Sequence, residues 1–492
     1  MFRAPERVVD AVSRRFGARH VLVVGDLMLD RYLTGHVGRI SPEAPVPVLR
    51  LAGERLVAGG AANVARNLVG LGLAVTLAGV RGDDPDGAAL VGLLRDAGIG
   101  PDAVVADPDR PTTSKTRVVG NGQQMLRIDA ERTAPLPESV AAALERAVVE
   151  RLPAVDVLLL SDYAKGVLSG DLCARLIAAG AARGVPVLVD PKGRDFGRYR
   201  GATVLTPNRV ELALATGVDA ADLDGLLRRA ASLRAELGLE VLVLTLGELG
   251  MALVAEGGTT RVPALAREVF DVSGAGDTVI ATMAAGRAAG LDPLDTAHLA
   301  NLAAGVVVGH RGTAAITAGE LAAALAGEAA LEQAAKVQGL AAMQARVAQW
   351  RAAGERIVFT NGCFDLLHVG HVTYLERARR HGQRLVVGLN SDRSVRALKG
   401  PRRPLIGEQD RARVLAALAA VDGVVLFDEA TPIELIRALR PDVLAKGADY
   451  REENVVGAAE VKGWGGQVVL VPLVADQSTT GIVARLRVEP DA

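Results

Sequence analysis

Asp271-Val-Ser-Gly-Ala-Gly-Asp-Thr278, followed at once by VIATMAAGRAAG (279–290), is the stretch on which the fold reading turns. The run after Thr278 has the composition of a helix. The small residues at 273–276 let the backbone in front of it close around an anion. Unpaired N–H groups and the positive end of the helix dipole then face that anion. Asp277 stands at the edge of this cradle, placed to take a proton from a hydroxyl that attacks a phosphoryl group. The alternative is a glycine-rich strand-to-helix turn in which Asp277 is an N-cap.

Upstream, short Val/Leu runs recur, each followed by a longer Ala/Leu/Arg stretch: VLVVGD (21–26), VLLLSD (157–162), VPVLVDP (185–191), ATVLTPN (202–208) and VLVLTLG (241–247). Fully apolar strands alternating with amphipathic helices predict an α/β fold, a mostly parallel sheet with helices on both faces. Ligands of such sheets sit at the carboxyl ends of the strands. Candidate residues gather there: Gly25-Asp26 with Asp30 shortly after, Gly59-Gly60-Ala-Ala-Asn63, Asn208-Arg209-Val210-Glu211, and Thr245 with Gly247 and Gly250. Asn208 and Glu211 are suited to orienting magnesium and its waters. Singly these residues read as caps, turn formers or solvated helix positions. Together, at one predicted edge, they read as a site.

Downstream, residues 319–353 are Ala-rich without a strand signal and read as one or two connecting helices. A second alternation begins at Arg356: RIVFTNG, RLVVGLN (384–390), GVVLFDE (423–429), DVLAKG (442–447) and QVVLVP (467–472). The expected division is a kinase-like domain over 1–325, a helical linker over 326–354 and a small α/β domain over 355–492. Thr360-Asn361-Gly362-Cys363-Phe364-Asp365-Leu-Leu-His368-Val-Gly-His371 follows the first strand of this second part. His368 and His371, three apart, share one helix face near its N-terminus, a geometry for clamping a triphosphate. A zinc pair is the competing reading, but the His-Glu-x-x-His pattern is lacking and no metal site is expected.

At 492 residues the chain is too long for one core. Its net charge of -1 and 3% aromatic content argue against a nucleic-acid surface. No apolar run approaches the ~20 residues of a membrane helix. Cys173 and Cys363 form no framework, and the N-terminal segment has no apolar signal core, so a cytoplasmic protein is expected.

The GGAAN and DVSGAGDT segments resemble the two signatures of the ribokinase-like (PfkB) carbohydrate kinases. The resemblance implies that Asp277 is the catalytic base and that the amides of Gly274, Ala275 and Gly276 stabilise the transferred phosphoryl group. It places Asp26, Asp30, Gly59, Gly60, Asn63 and Lys192 at the sugar. Asn208 through Glu211, Thr245, Gly247 and Gly250 fall at ATP and Mg²⁺, and residues 31–50 and 112–129 form a small β-lid. The TNGCFDLLHVGH stretch resembles the His-x-Gly-His nucleotidyltransferases of the cytidylyltransferase-like superfamily, which have a Rossmann-like fold. That resemblance assigns Thr360, Asn361, Gly362, Phe364, His368, His371, Asp392, Arg411, Lys446, Asp449, Ser478, Thr479 and Thr480 to nucleotide binding and catalysis, again with ATP and Mg²⁺. The pairing of the two resembles the bifunctional enzymes of ADP-heptose synthesis. It implies phosphorylation of a heptose 7-phosphate at its anomeric hydroxyl, then AMP transfer to the 1-phosphate, in a homodimer. Lys115, Arg117, Lys165, Lys192 and Arg194 are the expected cations for the 7-phosphate. A cytidylyltransferase for a different phosphate is the alternative for the second domain, and loss of catalysis in one half is another.

Overall fold

The structure, a computed structural model, describes residues 2–264, 271–310, 314–448 and 450–472. The chain divides into two compact units, Met1–Leu325 and Ala326–Ala492.

The first unit contains β1 (His20–Gly25), β2 (Leu27–Ile40), β3 (Pro47–Gly60), β4 (Ala74–Gly82), β5 (Gly100–Asp107), β6 (Ser114–Gly120), β7 (Gln123–Ala130), β8 (Val157–Ser161), β9 (Val187–Asp190), β10 (Val204–Leu205), β11 (Val241–Thr245), β12 (Met251–Ala255) and β13 (Gly258–Val262). Nine of them form one sheet in the order β13-β12-β11-β10-β9-β8-β1-β4-β5. It is parallel from β11 through β5, with β12 and β13 added antiparallel. Helices cover both faces, which explains the unbroken apolar runs. In β1, Val21 and Val23 enter one core while Leu22 and Val24 enter the other, all four fully buried.

The remaining strands form a lid in the order β3-β2-β6-β7. The lid is larger than the sequence suggested, because β2 starts directly after β1 and β3 runs on into Gly59-Gly60. Those glycines therefore end a strand, and the next helix, Ala61–Gly70, begins without a loop.

The second unit holds β14 (Ile357–Gly362), β15 (Arg384–Asn390), β16 (Gly423–Phe427), β17 (Val443–Gly447) and β18 (Gln467–Val471) in a parallel sheet ordered β16-β15-β14-β17-β18. This order reverses at β14, the switch point where Rossmann-like sheets bind ligands. In the expected linker, the helix Leu340–Ala352 inserts Met343 and Val347 into the core formed by Ile357, Phe359 and Val386. It is thus part of the second unit's packing.

Candidate active sites

In the first unit the sheet order reverses around β1, and the carboxyl ends of β1, β8 and β9 deliver Asp26, Tyr163 and Asp190 to one place. The helix Ala275–Ala288 arrives there behind Gly274, which caps it at φ +83°. Asp277 is therefore a first-turn residue and not the N-cap. Its Oδ2 accepts from Asn63 Nδ2 at 2.6 Å, and its Oδ1 accepts a short hydrogen bond from the Tyr163 hydroxyl. Burial raises the Asp277 pKa, these two donors work against that, and the charge of Asp30 adds to the rise. A carboxylate so held is oriented, yet basic enough to accept a proton. The cradle needs one correction. Ala275 N–H donates to the Val272 carbonyl at 3.2 Å, so it closes a turn and does not face a ligand. Gly276 and Asp277 open the helix with N–H groups that have no intrahelical partner.

Tyr163 was not singled out as a site residue, although it directly follows the VLLLSD run. Asp26 explains its placement. The Asp26 carboxylate is buried and accepts from the N–H groups of Tyr163, Lys165 and Val167 at 2.8, 3.1 and 3.1 Å. Asp26 therefore fixes the 163–167 loop, with two of these donors on Oδ2 and one on Oδ1. Asp30 is paired with Arg117 at 2.5 Å and packs on Gly59, where a Cβ would collide with its carboxylate. At Gly60 a Cβ would strike the Asp26 carbonyl, and φ is +61°. Asn63 Oδ1 is buried and meets no partner among the described residues, which suits a substrate hydroxyl. Asn67, also missed, donates to the Asn63 carbonyl at 2.9 Å and accepts from Thr278 Oγ1 at 3.0 Å. It locks the two helix starts together.

On the nucleotide side, Asn208 and Glu211 form a reciprocal capping box on the helix Arg209–Thr216, with Arg209 and Val210 exposed. Glu211 Oε1 also pairs with Lys192 Nζ at 2.7 Å, so Lys192 serves this carboxylate. Thr245 bridges to Asn208, which brings the turn between Gly247 and Gly250 beside the helix start. Both glycines have positive φ, +63° and +86°. Asp190 lies between the groups. Burial, then Asp277 and Glu211, push its carboxyl well above the usual range.

In the second unit, Thr360, Asn361 and Gly362 end β14, and Thr360 Oγ1 bonds Tyr374 OH at 2.7 Å. Phe364 follows with φ +44° and sets its ring edge-on to His371, centroids 5.2 Å apart. His368 caps the helix Val369–Arg379 from its N-terminal side, and its ring stacks on His371 at 3.9 Å. Burial and the His368 charge lower the His371 pKa from 6.5 to about 4, and burial lowers that of His368. Both are neutral at pH 7. His368 Nδ1 and Asn361 Oδ1 are buried with no partner among the described residues, while the His371 ring also interacts with the Leu366 backbone. Imidazole N–H donors at a helix start and sheet switch point fit a polyphosphate, and the Asn361 amide oxygen suits a ligand hydroxyl or amine. Lys446 reaches the same edge, its Nζ 3.5 Å from the Asn361 carbonyl.

Arg411 is corrected. It is fully buried and donates to the carbonyls of Cys363, Asn390 and Ile406 at 2.6, 2.9 and 2.9 Å and to Asp392 Oδ1 at 2.7 Å. It therefore braces the motif loop and is not open to a nucleotide, and Asp392 is its counter-charge. Asp365, which was not assigned, is likewise buried. It accepts from Arg403 at 2.5 Å and from the N–H groups of Leu405 and Ile406. Asp449, Ser478, Thr479 and Thr480 lie outside the described residues.

Residues 18–318 match the pfkB family carbohydrate kinases, and residues 359–483 match the cytidylyltransferase-like family. The first unit also has the fold of phosphofructokinase-2 from Escherichia coli (TM-score 0.54, 20% identity, 63% of this chain and 98% of that one). Ribokinase from Arabidopsis thaliana is similar (TM-score 0.50, 22% identity, 62% and 98%). Fold and sites together define a carbohydrate kinase joined to a nucleotidyltransferase. The bifunctional protein HldE of Magnetococcus marinus is 57% identical over 97% of this chain and 99% of its own length. That of Methylobacillus flagellatus is 55% identical over 98% and 99%. The chain belongs to the bifunctional HldE family.

Proposed function

We propose that the chain carries out two ATP-dependent steps of ADP-heptose synthesis. In the first, Asp277 takes the proton of the anomeric hydroxyl of D-glycero-β-D-manno-heptose 7-phosphate as that oxygen attacks the γ-phosphorus of ATP, giving the 1,7-bisphosphate and ADP. In the second, after the 7-phosphate has been removed, the 1-phosphate oxygen attacks the α-phosphorus of a second ATP. ADP-heptose forms and pyrophosphate leaves. The observation that carries the reading is Asp277, held by Asn63 and Tyr163 at a helix start whose N–H groups face the same cleft.

No protein nucleophile is needed in the second step, because the substrate phosphate is already an anion. The chain's contribution is positioning and charge neutralisation. Neutral His368 and His371 donate hydrogen bonds to the triphosphate and become better donors as negative charge gathers on it.

Magnesium enters with the nucleotide. Among the described residues no three His, Cys, Asp or Glu side chains form a metal cage. Asp190 and Glu211, whose charges already act on each other, fit a hydrated cation and would hold its waters. The ion would neutralise charge on the phosphates. Among the described residues no helix is long and apolar enough to cross a membrane. Cytoplasmic location is part of the proposal, supported by the two unpaired cysteines. So is a homodimer, supported by exposed Ile40, Leu51, Met125, Leu126 and Ile128 on the lid.

The test is mass spectrometry of products from heptose 7-phosphate and ATP, with and without a phosphatase. Asp277→Asn should abolish bisphosphate formation and spare adenylyl transfer from a supplied 1-phosphate, and His371→Ala should do the reverse. Loss of both activities in either folded variant would refute independent sites. Consumption of CTP instead of ATP in the second step would refute the adenylyl assignment.

A further inference from the structure

Of the five cations expected at the distal phosphate, Arg117 is committed to Asp30, Lys165 to Glu131 and Lys192 to Glu211, whereas Lys115, opposite Asp30 on the lid, and Arg194 have no ion pair among the described residues. A further pair is set apart by burial and stacking. Arg55 on β3, Tyr32 on β2 and Arg117 on β6 are direct cross-strand neighbours. Both guanidiniums lie over the Tyr32 ring, at 4.6 and 5.2 Å from its centre. Asp30, two residues before Tyr32, points to the same side of β2, and its charge reaches Asp277, so this face of the lid looks into the kinase cleft. Arg66 stands three residues after Asn63 on the helix Ala61–Gly70 and therefore shares the face that serves Asp277.

Arg66 Nη1 is buried and meets no acceptor among the described residues, and neither Arg66 nor Arg55 has an ion pair there. Burial and the neighbouring Arg55 both push the Arg66 guanidinium below its ordinary pKa. A part-buried cation whose acting neighbour is another cation is in a costly position unless an anion joins them. Guanidinium forks match a phosphate dianion, with two parallel donors each.

We propose that Arg66, with Arg55 from the lid, forms the subsite for a phosphomonoester at the end of the sugar remote from the hydroxyl that Asp277 deprotonates. The pair thereby sets the kinase's preference for a sugar that is already phosphorylated. This rests on the kinase reading above. The phosphate completes the hydrogen bonding of Arg66 and draws the lid residue Arg55 to the helix.

The experiment measures kcat and KM of the full chain for heptose 7-phosphate and for the dephosphorylated heptose, at saturating ATP. Arg66→Gln should raise KM for the phosphorylated sugar about 10- to 100-fold, the loss expected for one charge-assisted contact, with kcat and the KM for ATP much less affected. The preference for the phosphorylated sugar should shrink by the same factor, and Arg66→Lys should recover part of it. A fall in kcat with KM unmoved, or equal losses on both sugars, would overturn the subsite while leaving the kinase intact. If Arg66→Gln lowers the melting temperature of the kinase unit, exposed Arg55→Gln carries the same test, and an unchanged preference there also refutes the proposal. If the unmodified chain phosphorylates neither heptose, the kinase reading fails and the subsite with it.

Discussion

Tyr163→Phe isolates the hydrogen bond that orients the kinase base. The substitution keeps the ring and the backbone N–H that Asp26 holds, and it removes the hydroxyl that donates to Asp277 Oδ1. Asp277 then keeps Asn63 alone, at 2.6 Å. A hydrogen bond to a charged group is worth about 1.5–3 kcal/mol, and because the Asn63 donor remains the low end applies, roughly a 10-fold effect. The sign follows from the direction of the tyrosine's influence. Its hydroxyl lowers the Asp277 pKa against the rise caused by burial, so its loss favours the protonated, inactive carboxyl. The acid limb of kcat/KM for sugar phosphorylation should move to higher pH. The deficit should be about 10-fold below the limb and smaller above it, where the more basic carboxylate compensates in part. ADP release, followed from pH 5.5 to 9, measures this, with adenylyl transfer in the same preparation as a reference. An unmoved limb, or a loss that is the same at every pH, would refute the argument.

In the second unit, His371 refuses a proton that the unfolded chain accepts. Its pKa is lowered from 6.5 to about 4, so its share of the stability is present above pH 6.5 and is lost as pH falls toward 4. Urea unfolding of the wild type and of His371→Asn should show stabilities that converge as pH falls through that window; parallel curves would contradict the buried neutral imidazole. Arg411→Met leaves Asp392 and three carbonyls without their donor. It should cost about 3–5 kcal/mol, read as a lower denaturation midpoint of the second unit. A variant of wild-type stability with weakened ATP binding would restore Arg411 to the nucleotide.

Much of this architecture is legible in the sequence because burial on both faces of a sheet writes itself as unbroken apolar runs. VLVVGD, VLLLSD and VLVLTLG become β1, β8 and β11, and the polar residues ending them fall at the carboxyl edge. The residues holding Asp277 were half visible. Asn63 stands in a motif, whereas Tyr163 is aimed by a buried carboxylate more than a hundred positions away, a relation with no local signature. Arg66 escaped because an arginine on an amphipathic helix reads as solvent-facing, whereas here it is part-buried. Arg411 was assigned to the nucleotide by resemblance to the family. Full burial, which turns such a charge from ligand to brace, is a property of packing alone.

The reciprocal cap between Asn208 and Glu211 has a bearing on how variation in this family is interpreted. Of the four consecutive positions there, the outer pair must start a helix before it can serve a nucleotide, while Arg209 and Val210 are exposed and take no part in the cap. Drift should therefore concentrate at the inner pair. An inactive Glu211 variant would also be poor testimony about magnesium, because the same change releases Lys192 and unties the first turn.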